Sequence, residues 1–204
     1  MDPISIYDDI KSKIIWLDFP PGTVLNQLDL AKAYGVSRSP VTLALARLHV
    51  EQWVVRQGSH FVASPLTLER MREITEIRSV LEMQANVWAM HRITPQGLNA
   101  LKALGREIKK IEQSCGKKKM FQLDYRFHSL LYREARNQQL AVLLEQLLGH
   151  YIRFWLADPG AIDVEEFFHE ANEIITAIET RDEISLRAAT GMHIKVSLNR
   201  IMNI

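Results

Sequence analysis

The stretch LAKAYGVSRSPV, residues 30–41, predicts the end of one helix, a tight turn and the start of a second helix. Apolar residues share one face of a first helix over residues 27–34, and Gly35-Val36-Ser37 supplies a turn with a serine placed to cap the second helix. That second helix is predicted over residues 38–50, with Pro40 in its first turn, where a missing N–H is harmless. Two short helices joined in this way are typical of a helix-turn-helix.

The flanking segments extend this unit on both sides. A helical stripe predicts a helix over residues 4–17, and Phe19-Pro20-Pro21-Gly22 ends it. Residues 53–56 and 60–63 are rich in β-branched and aromatic residues, and Gln57-Gly58-Ser59 between them has the composition of a hairpin turn. The order of elements therefore predicts a winged helix-turn-helix.

The composition changes near residues 64–67. Glycine and proline punctuate the chain up to Pro65, whereas good helix formers dominate the rest. We therefore expect a mainly α protein of two domains: a winged helix-turn-helix DNA-binding domain over residues 1–66, and an all-α helical bundle for effector binding and dimerisation over residues 67–204. The helices predicted in the bundle cover residues 67–91, 95–114, 117–136, 138–156, 163–180 and 182–202.

Length, charge and cysteine content exclude several classes of protein. The chain has 204 residues, of which 47% are hydrophobic and 24% charged, as in an ordinary globular protein. Its one cysteine, Cys115, excludes an intrachain disulfide and a Cys-rich zinc module. No secretory signal or membrane span is visible, so we expect a cytoplasmic protein. The formal net charge is +1, so nucleic acid would have to bind a local patch.

The second helix of a helix-turn-helix presents its first residues to the major groove. Here these residues are hydrogen-bonding types, and Arg38 suits guanine O6 and N7 or a phosphate. The wing offers further polar residues, although helix-turn-helix geometry also occurs in helical proteins that bind no DNA. The candidate DNA-binding residues are Ser37, Arg38, Ser39, Thr42, Arg47, Arg56, Gln57, Ser59 and His60.

Two groups of motifs resemble a known family. Phe-Pro-Pro-Gly-Thr at residues 19–23, followed by residues 30–41, resembles the GntR family of bacterial transcription regulators, and the rest resembles its FadR-type effector domain, called FCD. The resemblance implies a one-component regulator: a dimer that binds an inverted-repeat operator, with an affinity that a small molecule alters. The FCD motifs are Ile77-Arg78 with Leu81-Glu82, Asp124 to His128, Asn137, Ala177-Ile178 with Asp182, and Met192-His193-Ile194.

The chain departs from the family at its DNA-reading positions. The family's DNA-contacting arginines correspond to Leu28, Arg38 and Thr42, and only Arg38 is kept. Residues 1–66 hold six basic and six acidic residues, a poor balance for phosphate binding. Three alternatives remain open: weak binding, base reading shifted to Thr42, Ser39 and the wing, or loss of DNA binding.

The chain also departs from the family at the metal site. Asp124 and His128 stand at i and i+4, so both can reach one ion, although a surface hydrogen bond is the simpler interpretation of the spacing. The resemblance implies that they join His193 and one more histidine around zinc, nickel or manganese. Ala171 stands at that last position, and His169, two residues away, is rotated by roughly 200° around a helix. We therefore expect a metal that is weakly bound or absent.

Two arginines of the helical domain, Arg78 and Arg153, are candidates for effector binding. Arg78 lies in an apolar stretch, and the resemblance implies a carboxylate effector near the metal, which Arg78, Arg153 and the histidines would bind directly. The alternative for each arginine is a salt bridge, for instance between Arg78 and Glu82 at i+4.

Two other functions are compatible with the sequence. One is a small helical metallohydrolase that uses Asp124, His128 and His193, but no carboxylate can be assigned as its general base. The other is an interaction module that no longer binds DNA. We expect a regulator and not an enzyme.

Overall fold

A computed structural model describes the backbone of residues 2–110, 116–160 and 164–202, and the side chains of these residues except 164–168 and 197–202. The chain divides into two compact units, Met1–Thr67 and Leu68–Ile204. The first is a winged helix-turn-helix and the second is helical throughout its described part, so the predicted fold class is confirmed. No helix among the described residues is long and apolar enough to cross a membrane.

The first unit follows the predicted order, with one additional strand. Its first helix ends at Ile15, two residues earlier than predicted, because Leu17 has the positive φ of 61° that a helix cannot contain. Trp53 precedes the second strand instead of belonging to it. The elements are α1 (Pro3–Ile15), β1 (Val24–Leu25), α2 (Gln27–Tyr34), α3 (Arg38–Val50), β2 (Val54–Gln57) and β3 (His60–Ala63).

The wing is part of a three-stranded antiparallel sheet with the order β1-β3-β2. Val24 of β1 pairs with Val62, and Val54 of β2 pairs with Ala63. Gly58 turns the hairpin with a φ of +59°, a conformation that glycine adopts without strain. The sequence did not predict β1, because two residues are too short to show an alternating pattern.

The turn between α2 and α3 positions the first residues of α3. Gly35 ends α2 in the left-handed conformation, and the N–H of Val36 donates to the carbonyl of Ala31 at 3.0 Å. Ser37 occupies the N-cap position of α3 but makes no side-chain capping hydrogen bond, so that part of the prediction is wrong. The exposed start of α3 is therefore held mainly by the packing of its apolar face, which includes the buried Leu45, against α1.

The second unit is a bundle built around its first helix. That helix, α4, packs against α6, α7 and α9, and so its interior positions are surrounded by side chains from three other helices. Asn137 and Asp182 cap α7 and α9 through side-chain oxygens that accept backbone N–H groups. The elements are α4 (Leu68–Arg92), α5 (Pro95–Lys109), α6 (Lys117–Glu134), α7 (Gln138–Ala157), α8 (Val164–Thr180) and α9 (Glu183–Met202).

The core of this bundle contains charged groups as well as apolar ones. Burial of an ionised side chain is costly unless it is paired and hydrogen-bonded, so each group needs a partner. These residues come from α4, α6, α7, α8 and α9. The buried polar and charged side chains of the unit are Thr75, Arg78, Glu82, Asn86, Asp124, His128, Glu134, His150, Arg153, Glu170, Thr190 and His193.

Candidate nucleic-acid interface and buried polar cluster

The first turn of α3 is exposed and polar. Ser37, Arg38, Ser39 and Thr42 are all open to solvent, as major-groove reading requires. The Thr42 hydroxyl donates to the backbone carbonyl of Arg38 at 3.0 Å, so its proton is used inside the helix and its oxygen remains an acceptor. Arg38 is therefore the strongest donor at this end of α3.

Arg38 does not extend freely into solvent. Its Nε donates to Oε1 of Gln27, the first residue of α2, at 2.7 Å. This hydrogen bond joins the starts of the two helices and leaves both terminal amino groups of the guanidinium as donors. Sequence inspection did not single out Gln27, because the contact joins residues eleven positions apart on different helices.

The wing presents four candidates together. Arg56, Gln57, Ser59 and His60 are exposed on both sides of Gly58. The Arg56 guanidinium lies 5.7 Å from the centre of the Phe61 ring. The methylene groups of Arg56 can therefore lie along the sheet while its charge stays in solvent. The structure thus brings the wing candidates together at one hairpin tip.

Arg47 is separated from the other candidates. It stands nine residues after Arg38, about 13 Å along the helix at 1.5 Å per residue. Its guanidinium lies 3.9 Å from the Tyr7 ring centre, and its Nε donates to Glu51 at 3.1 Å. Arg47 thus helps to fasten α1 to α3, and the structure does not place it with the residues at the start of α3.

Arg78 and Glu82 form a buried ion pair in the bundle. Nε and Nη2 of Arg78 both donate to Oε1 of Glu82, at 2.9 and 2.7 Å, and the Tyr132 hydroxyl donates to the same oxygen. The Arg78 guanidinium also lies 4.1 Å from the Tyr151 ring centre. This is the salt bridge that the sequence left as the alternative, so Arg78 already has its counter-ion.

The electrostatics of the pair favour two charged partners. Burial acts to raise the pKa of Glu82, but the Arg78 guanidinium, His128, the hydrogen bond from Tyr132 and His193 together outweigh it, and the pKa falls to about 2. Burial likewise acts to lower the pKa of Arg78, but Glu82, Tyr132 and Tyr151 together outweigh it, so that pKa rises. The two side chains are therefore ionised at neutral pH, and each depends on the other.

The predicted metal-ligand candidates lie together in the core. Nε2 of His128 is 3.3 Å from Oδ1 of Asp124 and 3.3 Å from Nε2 of His193. All three side chains are buried, so the alternative of a surface hydrogen bond is wrong. Oδ2 of Asp124 and Nδ1 of His128 are buried without a hydrogen-bond partner.

A fourth group, Glu170, completes this cluster. Its Oε2 lies 2.7 Å from Nδ1 of His193. Burial acts to lower the pKa of His193, but the hydrogen bond to Glu170 and the nearby carboxylates outweigh it, so the pKa is raised. The neighbouring Ala171 is buried and apolar, while His169 is exposed, as the helical spacing predicts.

No pattern in the sequence indicates Glu170 beyond its position next to Ala171, since its partner lies on another helix. Within the described side chains, no group of three or more His, Cys, Asp or Glu residues is arranged to hold a metal ion. His193 directs Nδ1 at a carboxylate, and no imidazole stands at Ala171. The residues present therefore do not fit the four-ligand site that the resemblance implies.

Arg153 belongs to a separate basic group. It is fully buried on α7, one turn after the buried His150, whose Nε2 lies 3.3 Å from Nη2 of Arg70 on α4. Burial, and then the Arg70 guanidinium, lower the pKa of Arg153 to about 10. Positive charge is thus concentrated between α4 and α7, whereas the cluster around His193 contains the carboxylates of Glu82, Asp124 and Glu170.

Comparison with known proteins finds two family matches along the chain. Residues 4–60 match the profile described as bacterial regulatory proteins, gntR family, and residues 73–196 match the FCD domain. The HTH-type transcriptional regulator YdhC of Bacillus subtilis, described as uncharacterized, is 28% identical over 200 residues, which cover 96% of this chain and 87% of YdhC. The HTH-type transcriptional regulator McbR of Escherichia coli is 23% identical over 188 residues, which cover 90% and 85% of the two chains.

A solved structure of E. coli McbR/YncC shares the fold. It superposes with a TM-score of 0.85 at 20% identity, over 98% of this chain and 97% of that one. Together, the two family matches span both units described above, and the motifs noted in the sequence fall within them. The chain therefore belongs to the GntR family of bacterial transcription regulators and carries the FCD effector-binding domain.

Proposed function

We propose that the protein binds an inverted-repeat operator as a dimer, with the start of α3 in the major groove and the wing beside it. The observation that carries the proposal is the exposed Arg38 at the first position of α3, next to three exposed polar residues. One unit reads one half-site, and a two-fold dimer reads both. A regulator with this role acts beside the chromosome, in the cytoplasm.

The dimer would form through the helical unit. Ile77 and Val80 of α4 are 49% and 69% exposed, and the partly exposed Leu81 and Trp88 continue the same face at helical spacing. An apolar stripe of this kind on the exposed face of α4 supports an isologous contact with a second copy.

Light scattering should therefore give about twice the chain mass of 23.5 kDa at micromolar concentration. Val80→Glu should shift the protein towards the monomer, because it places a charge in the stripe. Ile184→Glu is the matched control, since Ile184 is 84% exposed but lies on α9. A monomeric parent, or equal behaviour of the two variants, would contradict this assignment.

The effector is a small carboxylate that binds the basic group between α4 and α7. Arg153 and Arg70 repel each other there, and an anion between α4 and α7 would be attracted to both guanidinium groups. Arg78 is less suited to this role because Glu82 already neutralises it. The cluster around His193 would repel an anion because it contains the carboxylates of Asp124 and Glu170 in addition to the Glu82 that Arg78 neutralises.

The metal is weakly bound or absent. Glu170 engages His193, and Ala171 supplies no ligand where the resemblance implies an imidazole. A strong divalent site needs all its ligands oriented towards the ion.

Elemental analysis of protein purified without chelator or metal resin should find well under one divalent ion per chain. Ala171→His should increase the retained metal if Ala171, eleven residues before Asp182, stands at the position of the family's histidine. Ala188→His, an exposed position on α9, is the control for adventitious imidazole binding. Near-stoichiometric zinc, nickel or manganese in the parent protein would refute the proposal.

DNA binding by the purified protein tests the main proposal. The protein should retard DNA from beside its own gene in a salt-dependent manner, and small carboxylates should change that affinity. An interaction module would show no sequence-specific shift. A metallohydrolase would need an open metal position and a general base, and the relatives named as transcriptional regulators favour a function without catalysis.

A further inference from the structure

Gln27 is fixed at the point where the two helices of the DNA-binding unit begin. The side chain of Asn26 caps α2, accepting from the N–H groups of Leu28 and Asp29 at 2.8 and 3.4 Å. Gln27 follows that cap directly, and so its backbone is held in a defined place. From there its side-chain carbonyl reaches Nε of Arg38 at 2.7 Å.

This contact leaves Arg38 with the donors that guanine needs. A guanidinium has five N–H donors in one plane, and Gln27 takes the single N–H of Nε. The two terminal amino groups remain, and a pair of donors in one plane matches O6 and N7 of guanine. An acceptor on Nε also restricts the rotation of the plane, so that less side-chain entropy is lost when DNA binds.

The charge of the partner matters as much as its position. Gln27 is neutral, so it holds the guanidinium without cancelling its charge, whereas a carboxylate there would form an ion pair. The DNA-binding unit has no excess of positive charge, since residues 1–66 hold as many acidic as basic residues. Leu28, the neighbouring residue on α2, is 63% exposed and supplies no donor.

We propose that Gln27 is a positioning residue for base reading, which holds the Arg38 guanidinium so that its two terminal amino groups face one guanine in each half-site. The inference rests on the proposed reading of DNA by Arg38. According to this inference, the base specificity of Arg38 depends on Gln27, a residue of α2.

The test uses the full-length protein and an operator selected from random duplex DNA. Substitution of each operator guanine by 7-deazaguanine, which lacks the N7 acceptor, identifies the base that Arg38 reads. Gln27→Ala should then weaken binding to the intact operator by about two- to ten-fold per half-site. It should leave binding to the 7-deazaguanine operator nearly unchanged, and the slope of affinity against salt should stay the same, because no phosphate contact is lost.

Three variants separate positioning from a structural effect. Gln27→Ala combined with Arg38→Ala should bind no more weakly than Arg38→Ala alone. Gln27→Glu keeps an acceptor, so it should retain the preference for guanine while lowering affinity for both operators. Ala33→Ser, at an exposed position in the last turn of the same helix, is the control and should change neither quantity.

The outcomes distinguish the two levels of the proposal. If Arg38→Ala keeps the preference for guanine, the reading of DNA by Arg38 is wrong. If Arg38→Ala loses that preference while Gln27→Ala keeps it, only the role of Gln27 is wrong. Equal weakening of both operators by Gln27→Ala, together with a lower unfolding temperature, would show a structural role and overturn the inference.

Discussion

Arg38→Ala will abolish most of the preference for the operator over random DNA. One bidentate contact between arginine and guanine contributes about 1–3 kcal/mol of discrimination, so two half-sites lose about 2–6 kcal/mol together. The effect is large here because Leu28 and Thr42 occupy the places of the other family arginines and offer no charge. Fluorescence anisotropy with operator and random duplexes at one salt concentration measures the ratio of the two affinities.

Lys32→Ala is the control for this experiment. Lys32 is exposed in the last turn of α2 and carries the same charge, but it is not one of the residues at the start of α3. Its removal should weaken binding to both duplexes alike, because a lost phosphate attraction is independent of sequence. An Arg38→Ala variant that behaves like Lys32→Ala would show that base reading lies elsewhere, for instance in Ser39 and the wing.

Glu82→Ala will destabilise the helical unit by about 3–5 kcal/mol, because removal of one partner of the ion pair leaves the other charge buried and uncompensated. The variant leaves the Arg78 guanidinium without its counter-ion and the Tyr132 hydroxyl without its acceptor. Urea unfolding at a fixed protein concentration, followed by far-ultraviolet circular dichroism, measures the change in the free energy of unfolding.

Two further variants define the cause. Glu76→Ala removes a carboxylate whose side chain is 59% exposed and paired with Arg72, and it should cost less than about 1 kcal/mol. Arg78→Met combined with Glu82→Gln removes both charges and keeps an acceptor for Tyr132, so it should be more stable than Glu82→Ala alone. If Glu82→Ala unfolds like Glu76→Ala, the pair does not stabilise the bundle.

Local patterns in the sequence predicted most of the fold. Helical periodicity located the helices because each buries one face, and the turn at Gly35 separated α2 from α3 because glycine accepts the left-handed backbone there. The salt bridge between Arg78 and Glu82 was available as an alternative because i and i+4 are neighbours on a helix. In each case the residues that determine the feature lie within a few positions of each other in the sequence.

Contacts between segments that are far apart in the sequence could not be predicted from it. Glu170 and His193 meet across two helices, and β1 becomes a strand only because β3 pairs with it. The spacing of Asp124 and His128 suggested a surface pair, but the packing of α6 against α4 encloses both. Such contacts depend on the arrangement of whole elements, which no short window of sequence specifies.

The central position of β3 has a consequence for the entropy of DNA binding. A two-stranded hairpin alone is marginally stable in water, and ordering each residue's backbone costs about 1–2 kcal/mol. Here the end of β3 also pairs with the segment before β1. Ala63 accepts from the N–H of Gly22 and donates to the carbonyl of Thr23, each at 2.9 Å. In the proposed mode of DNA binding, the wing would meet DNA with most of its ordering complete, and only the few residues around Gly58 would have to adapt to the groove.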